Sequence, residues 1–438
     1  MIEKQYMKDL AKWVMQYALE HGAQACRVSF DAGSGSEFEY RNKQLDKLQQ
    51  AAENKLGVAL FVRNRYGNYS TNRMDKDELK QFIKKGIETT GCLAEDPFRR
   101  LPDPSRCYKG GGGDLLLADA RFDDIKADDK LALAKAAVEE ACDADARIIS
   151  VTAGFCDGES RHFMADSNGF EGAIQTTFYN LSASVSLKDN GDARPEAYWY
   201  DAALQWNELQ KTGVGKKAFE RALQKLGQRK VKPGKYAVLV DNMNVGRLLS
   251  PLMSAMYGNN LQQKNSFLLN KLNEKIVSEK LTLTDEPHIP HAFGARWFDH
   301  EGVATAKRAV IEKGILKTFF IDTYIAEKMR IEPTVGSPSV LTFDGGTKNF
   351  DQLAASLKRG IWITGFNGGN SNSTTADFSF GIEGFLIENG EITTPVSEMN
   401  ITGNLLTLWN NIAEVGNDPY LKSPWRTPAV LFDDVMMS

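Results

Sequence analysis

Imidazoles and carboxylates crowd one short stretch of this chain. DEPHIPHAFGARWFDHEG carries His288, His291 and His300 among Asp285, Glu286, Asp299 and Glu301. Such side chains could ligate zinc or another divalent ion and activate a water for hydrolysis. Pro287 and Pro290 surround the first pair, so no helix sets both rings on one face. A hydrolytic zinc site also benefits from a rigid scaffold. Surface-loop histidines are the favoured reading; an independent hydrolase using His288/His291 is the alternative. Other chemical signatures are weaker. GVGKKA at 213–218 fits G-x-G-x-x-A, but WNELQKT before it is no convincing strand. GGGGD at 110–114 lacks the Gly-Lys-Ser/Thr ending of a phosphate loop and reads as a flexible joint. No G-x-S-x-G occurs, so a nucleophile elbow is absent, and nothing points to a dispersed Ser-His-Asp site.

Two further stretches stand out. DNMNVGRLLSPLMSAMYGNN, from 241, places Leu248, Leu249, Leu252, Met253 and Met256 at helical spacing and ends at a glycine. Between Asp241 and Asn273 there is no His, Cys or Glu, so this helix either packs or is the relic of a site. FNGGNSNSTTADFSFGIEGFLIENGEITTPVSEMNITGN, 366–404, begins small and polar and continues as two alternating strands joined at Asn389-Gly390. Glycine there would let another backbone approach, as when a peptide adds to a sheet edge. A turn-rich β domain explains the same residues equally well.

The elements that must position these residues belong to a soluble globular chain. At 438 residues two or three domains are expected. Hydrophobic residues make up 42% and charged residues 25%, and the net charge is −4. That total gives no electrostatic footprint for nucleic acid. No stretch of about 18 apolar residues would span a membrane. The five scattered cysteines, none beyond Cys156, suggest reduced thiols and a cytoplasmic location.

Residues Glu3–Glu20 read as an amphipathic helix, ACRVSFDAG as a strand, and LGVALFVRNRYGNYSTN as a hairpin turning at Tyr66-Gly67. Asp75 and Glu78 open a helix towards Gly91. The Pro- and Gly-rich DPFRRLPDPSRCYKGGGGD marks a subdomain break near 95–113. A helix over about Asp128–Asp143 leads into strands with turns at Asp157-Gly158, Asn168-Gly169 and Asn190-Gly191. A helix within GVGKKAFERALQKLG then runs into a basic loop, read as the domain linker. The pattern gives an α+β class: a helix and antiparallel-sheet domain over 1–228, then a β-rich domain over 229–438.

Several segments, in order, resemble the TldD/PmbA family and its PmbA (TldE) branch. They are SNGFEG at 167–172, NSFLLNKLNEKI at 265–276, FDHEGVATAKRAVIEKGILKTFFIDTYIAEKM at 298–329, TADFSFGIEGFLIENGEITTPVSEMNITGN at 375–404 and IAEVGND at 412–418. The resemblance covers nearly the whole length. It implies a subunit of a peptidase pair in which the TldD branch carries a zinc-binding His-Glu-x-x-x-His helix and a Cys ligand near its C-terminus. The equivalent window here falls near Ser250-Pro251-Leu252-Met253-Ser254-Ala255, which has none of those donors. The expectation is therefore no catalytic residue and no metal on this chain, with zinc on a TldD-type paralogue. Heterodimer and homodimer both remain open, as does a homodimeric peptide-binding scaffold. The implied substrate is unfolded peptide, with neither nucleic acid nor membrane as partner. Asp377, Phe378, Ser379, Gly381 and Glu383 are the expected peptide- or partner-binding residues.

Overall fold

The computed structural model describes residues 4–438. The first half runs α1 (Lys4–Glu20), β1 (Ala25–Arg41), β2 (Gln44–Val62), β3 (Arg65–Thr71), α2 (Lys76–Gly91), α3 (Ala127–Glu139), β4 (Ile148–Asp166), β5 (Glu171–Leu187), β6 (Glu196–Ala203) and α4 (Val214–Gln224). Glu3, the expected start of the first helix, lies outside the described residues. The strands form one antiparallel sheet in the order β3-β2-β1-β4-β5-β6. Alternation along β1 and β4 puts one set of side chains on a single face. At one end that face packs on α1 and α2 through Val14, Val28, Phe30 and Ile83. At the other it packs on α3 and α4 through Phe38, Val138, Phe155 and Ala218.

Between these apolar patches the same face carries a buried polar cluster. Lys130 of α3 places Nζ 2.5 Å from Asp157 Oδ2, and Ser36 donates its hydroxyl to Asp157 Oδ1 at 2.6 Å. The turn expected at Asp157-Gly158 is therefore wrong: both residues sit mid-strand in β4, and Lys130 is what permits a carboxylate there. The hairpin expected to turn at Tyr66-Gly67 turns instead at Arg63-Asn64, both with positive φ, and Tyr66-Gly67 lie inside β3. Turns do fall at Asn168-Gly169 and Asn190-Gly191, where the glycines have φ of 95° and 65°.

The second half contains β7 (Gly234–Val240), α5 (Val245–Ser254), α6 (Gly258–Gln262), β8 (Leu283–Asp285), β9 (Arg308–Glu312), β10 (Ile315–Leu316), α7 (Thr323–Met329), β11 (Leu341–Phe343) and α8 (Phe350–Ala355). It continues with β12 (Arg359–Phe366), β13 (Asn370–Ser371), β14 (Asp377–Glu388), β15 (Glu391–Asn404), α9 (Leu405–Asn410), β16 (Ile412–Val415), β17 (Trp425–Arg426) and β18 (Val430–Met437). The strands β12-β7-β18-β15-β14 follow one another, and β14 pairs back onto β12, closing a barrel. A smaller sheet, β10-β9-β8-β11-β17, lies alongside in the chain's topology. The class is α+β, as the patterning predicts: a helix and antiparallel-sheet half, then a β-rich half.

The halves are tied together at several points. The segment that holds the expected break near 95–113 docks on the second half: Tyr324 donates to Asp96 at 2.7 Å, Cys107 forms a β-bridge with Val303, and just beyond the segment Leu115 and Leu117 join Ala292 and Val340 in a small core. GGGGD is no free joint, because Trp297 Nε1 donates to the Gly113 carbonyl at 3.0 Å and Gly112 N–H donates to the Tyr108 hydroxyl at 3.0 Å. In the basic loop region, Lys225 Nζ lies 2.7 Å from Glu383 Oε1 of the barrel.

Two predictions follow from this packing. At Gly384 a Cβ would overlap the Trp362 carbonyl oxygen on β12. Gly384→Ala should cost about 3 kcal/mol in denaturant unfolding, while Gly113→Ala, facing open space, should leave the midpoint unchanged. Asp166, 1% exposed, accepts the Asn168 and Phe170 N–H groups at 2.9 and 3.2 Å. Burial nevertheless pushes its carboxyl above the ordinary value, against those hydrogen bonds and Arg27. A raised carboxyl favours the fold at low pH and loses that contribution as pH rises through the folded value. Asp166→Asn, whose amide oxygen can keep both bonds, should therefore gain stability relative to the parent as pH climbs from about 4. A pH-independent difference in unfolding free energy would show that burial of this charge carries no cost.

Candidate functional site

The barrel mouth brings α5 and the 366–404 stretch together. Five α5 side chains, Val245, Leu248, Leu249, Leu252 and Met253, are fully buried in the barrel core. The helical spacing thus reports packing. Pro251 sits inside the helix and has no N–H to give the Arg247 carbonyl one turn back. Arg247, on the opposite side from the core leucines, donates from Nη2 to the Gly369 carbonyl at 3.3 Å. Its guanidinium also lies 4.7 Å from the Phe380 ring.

At the start of α5, Asn244 donates its amide to Asp241 Oδ1 at 2.7 Å and to the Thr364 carbonyl at 3.1 Å. Trp362 Nε1 donates to Asp241 Oδ2 at 3.3 Å. Burial raises the Asp241 carboxyl, against the bonds from Asn244 and Trp362. The first residues of the stretch therefore link helix, loop and strand at the mouth. Sequence reasoning singled out the leucines and passed over Asp241, Asn244 and Arg247. Their polar types immediately before an apolar helix were the available signal.

The five expected binding residues lie on one strand but play different parts. Asp377 is exposed and committed to its own turn: Thr375 Oγ1 lies 2.7 Å from one carboxylate oxygen and Asn404 Nδ2 3.2 Å from the other. The Thr375 hydroxyl and then the Asn404 amide hold its carboxyl below the usual range. Phe378 is buried and stacks on Phe380 at 5.3 Å. Gly381 accepts the Asn367 N–H at 2.7 Å. Glu383 is taken by Lys225. Ser379 is exposed and its backbone pairs with Asn370.

Strand β14 has no free edge for a peptide here, because β15 occupies one side and β12 and β13 the other. The open edge belongs to β13, whose Asn370 and Ser371 are both exposed. The backbone edge that strand addition requires therefore lies at 370–371 and not at 377–383.

The histidines do not converge. His288 Nε2 lies 3.0 Å from Thr305 Oγ1 and its ring 4.0 Å from that of Trp297. Burial lowers its pKa, opposed by the Thr305 contact. His291 turns the other way, with Nδ1 3.2 Å from Glu208 of the first half. Among the described residues, no group of three or more His, Cys, Asp or Glu side chains is arranged to hold a metal ion. Within α5, Arg247, Ser250, Pro251 and Ser254 offer zinc no imidazole, thiolate or carboxylate, and the Asp241 carboxylate at its head is held by Asn244 and Trp362. The glycine motif at 213–218 is likewise spoken for: Glu140 accepts the N–H groups of Gly213, Gly215 and Lys216 at 2.6, 2.8 and 3.3 Å. A carboxylate already fills the place that a phosphate would take at the start of α4.

Comparison with known proteins agrees with this architecture. The family model described as the PmbA/TldA metallopeptidase C-terminal domain matches residues 233–438, and that of the central domain matches residues 120–226. The chain is 28% identical over 421 residues to metalloprotease PmbA of Escherichia coli O157:H7, covering 94% of this chain and 91% of that protein. A crystal structure from Bacteroides thetaiotaomicron VPI-5482, which carries the label modulator of DNA gyrase, shares 55% identity with a TM-score of 0.98 over 100% of both chains. TldE from Thermococcus kodakarensis shares the fold, with a TM-score of 0.87 at 18% identity, covering 98% of this chain and 100% of that one. The chain belongs to the PmbA/TldD metallopeptidase family, in its PmbA/TldE branch.

Proposed function

We propose that this chain is a non-catalytic subunit of a cytoplasmic TldD/TldE-type peptidase assembly whose zinc sits on a TldD-type partner. The observation that carries this reading is α5. The helix in the position where the resemblance puts the zinc-binding helix spends its inner face on the barrel core and offers Ser250, Pro251 and Ser254 elsewhere. None of these can ligate zinc or serve as the carboxylate that activates a bound water. The family membership supplies the peptidase context. In this reading the barrel mouth forms part of the wall around the partner's metal. An extended peptide lies along the β13 edge, where backbone groups remain available. The five cysteines are all unpaired thiols, which fits a reducing compartment, and no helix of the described residues is long and apolar enough to cross a membrane.

The test is hydrolysis of an unfolded peptide by the purified chain with added zinc, alone and then mixed with a zinc-bearing TldD-type paralogue. Cleavage is expected only in the mixture and should disappear with a chelator. Cleavage by this chain alone, or a stable homodimer that binds peptide and never augments the paralogue, would overturn the reading. His288→Ala combined with His291→Ala should leave activity of the mixture within about twofold, since neither imidazole belongs to a metal-binding group among the described residues and loss of the His288–Trp297 contact acts on stability. A loss of a hundredfold or more would restore those two residues as a site.

A further inference from the structure

The outer face of the N-terminal sheet, opposite the four helices, carries a hollow with its own chemistry. Its floor is made by Gly57 and Ala59 of β2, two residues too small to fill the space above them. A side chain at 57 would come within 2.5 Å of the Ser29 hydroxyl. Register places Ser29 beside Gly57 and Arg27 beside Ala59 on one flank. Asn68 pairs with Ala59 on the other. The hollow measures about 280 Å³ and is lined by Arg27, Ser29, Tyr66, Asn68, His162 and, from the second half of the chain, His300.

The lining is rich in hydrogen-bond donors. Arg27 lines the hollow and gives Nη2 to the Glu301 carbonyl at 2.9 Å, which fixes the guanidinium. Its Nε is sealed from solvent, so the Nη1 side of the fork is what it offers to a ligand. His162 is held in place by Asp31, with Nδ1 2.6 Å from Oδ1. A second guanidinium, that of Arg99, lies 4.9 Å from the Tyr66 ring. The carboxylates around Arg27 and His162 are Asp31, engaged with His162, Asp166, the register partner of Arg27 on the neighbouring strand, and Glu301. Asp166 Oδ1 receives two backbone N–H groups, while its buried Oδ2 has no partner; Glu301 accepts the Thr323 N–H at 2.8 Å.

We propose that this hollow binds a small oxyanion, a carboxylate or phosphoryl group, through Arg27 with Ser29 and Asn68. Arginine presents a planar fork suited to such groups. Gly57 and Ala59 give the anion access to that fork. His300, arriving from the other half, makes occupancy sensitive to how the halves are held. The site lies on the N-terminal sheet and does not depend on the role proposed for the barrel mouth.

Calorimetric titration of the full chain with inorganic phosphate, an N-acetyl dipeptide acid and the corresponding amide separates the outcomes. Binding of the acid but not the amide identifies a peptide terminus, and binding of phosphate identifies a phosphoryl group; either supports the site. Arg27→Gln should weaken the bound anion at least tenfold. His300→Ala, at an exposed position that folding does not need, should weaken it severalfold. Absence of binding by either anion at millimolar concentration overturns the proposal. Binding that survives both substitutions also overturns it, because the anion then sits elsewhere.

Discussion

The barrel closes because β12 and β14 share a hydrogen-bonded edge, and that edge brings backbone against backbone at Gly384. Everything at the mouth depends on this contact. Closure gives α5 an enclosed apolar interior in which to bury its leucines. It removes the exposed edges of the long strands, leaving β13 as the short segment with backbone groups to spare. It also fixes Trp362, through which β12 reaches Asp241 at the head of α5. Helix, loop and strand therefore form one rigid rim.

The two halves meet through small apolar clusters, such as Leu115 and Leu117 with Ala292 and Val340, and through matched polar contacts. Lys225 with Glu383, Tyr324 with Asp96 and Arg27 with the Glu301 carbonyl each join residues far apart in sequence. Lys422 adds another, with Nζ 2.6 Å from Asp201 Oδ2. Partners buried in this way impose geometry more strongly than they add stability, since each must repay the loss of water around its charge. The orientation of the N-terminal sheet on the barrel is thus set by a few matched groups.

Much of this was legible from residue order alone. Periodicity located α1, α2 and α5, and Asn-Gly pairs marked three real turns, at 168–169, 190–191 and 389–390. The α+β class followed from helices segregated from alternating strands. Three things were hidden. Asp157-Gly158 looked like a turn because nothing nearby in sequence announces Lys130, whose ammonium makes a mid-strand carboxylate tolerable. The Gly-rich segment at 110–114 looked loose because its anchor, Trp297, lies far along the chain. At the candidate site, the resemblance pointed to β14 and α5. It could not show that Glu383 and Phe378 were already occupied, since both partners are set by tertiary contacts.

Pro251 gives the rim a one-way character. A metal site cannot be installed in this helix by exchanging a few side chains. Leu252 and Met253 are completely enclosed, so a carboxylate placed at either would have to be desolvated before any ion arrived to compensate it. The proline, meanwhile, leaves the Arg247 carbonyl without its helical donor, and the rest of the rim has settled around that arrangement. Placing a metal donor at either enclosed position would therefore demand changes in the surrounding core as well as in α5, because the role of this helix in packing is written in the volume around it as firmly as in its own residues.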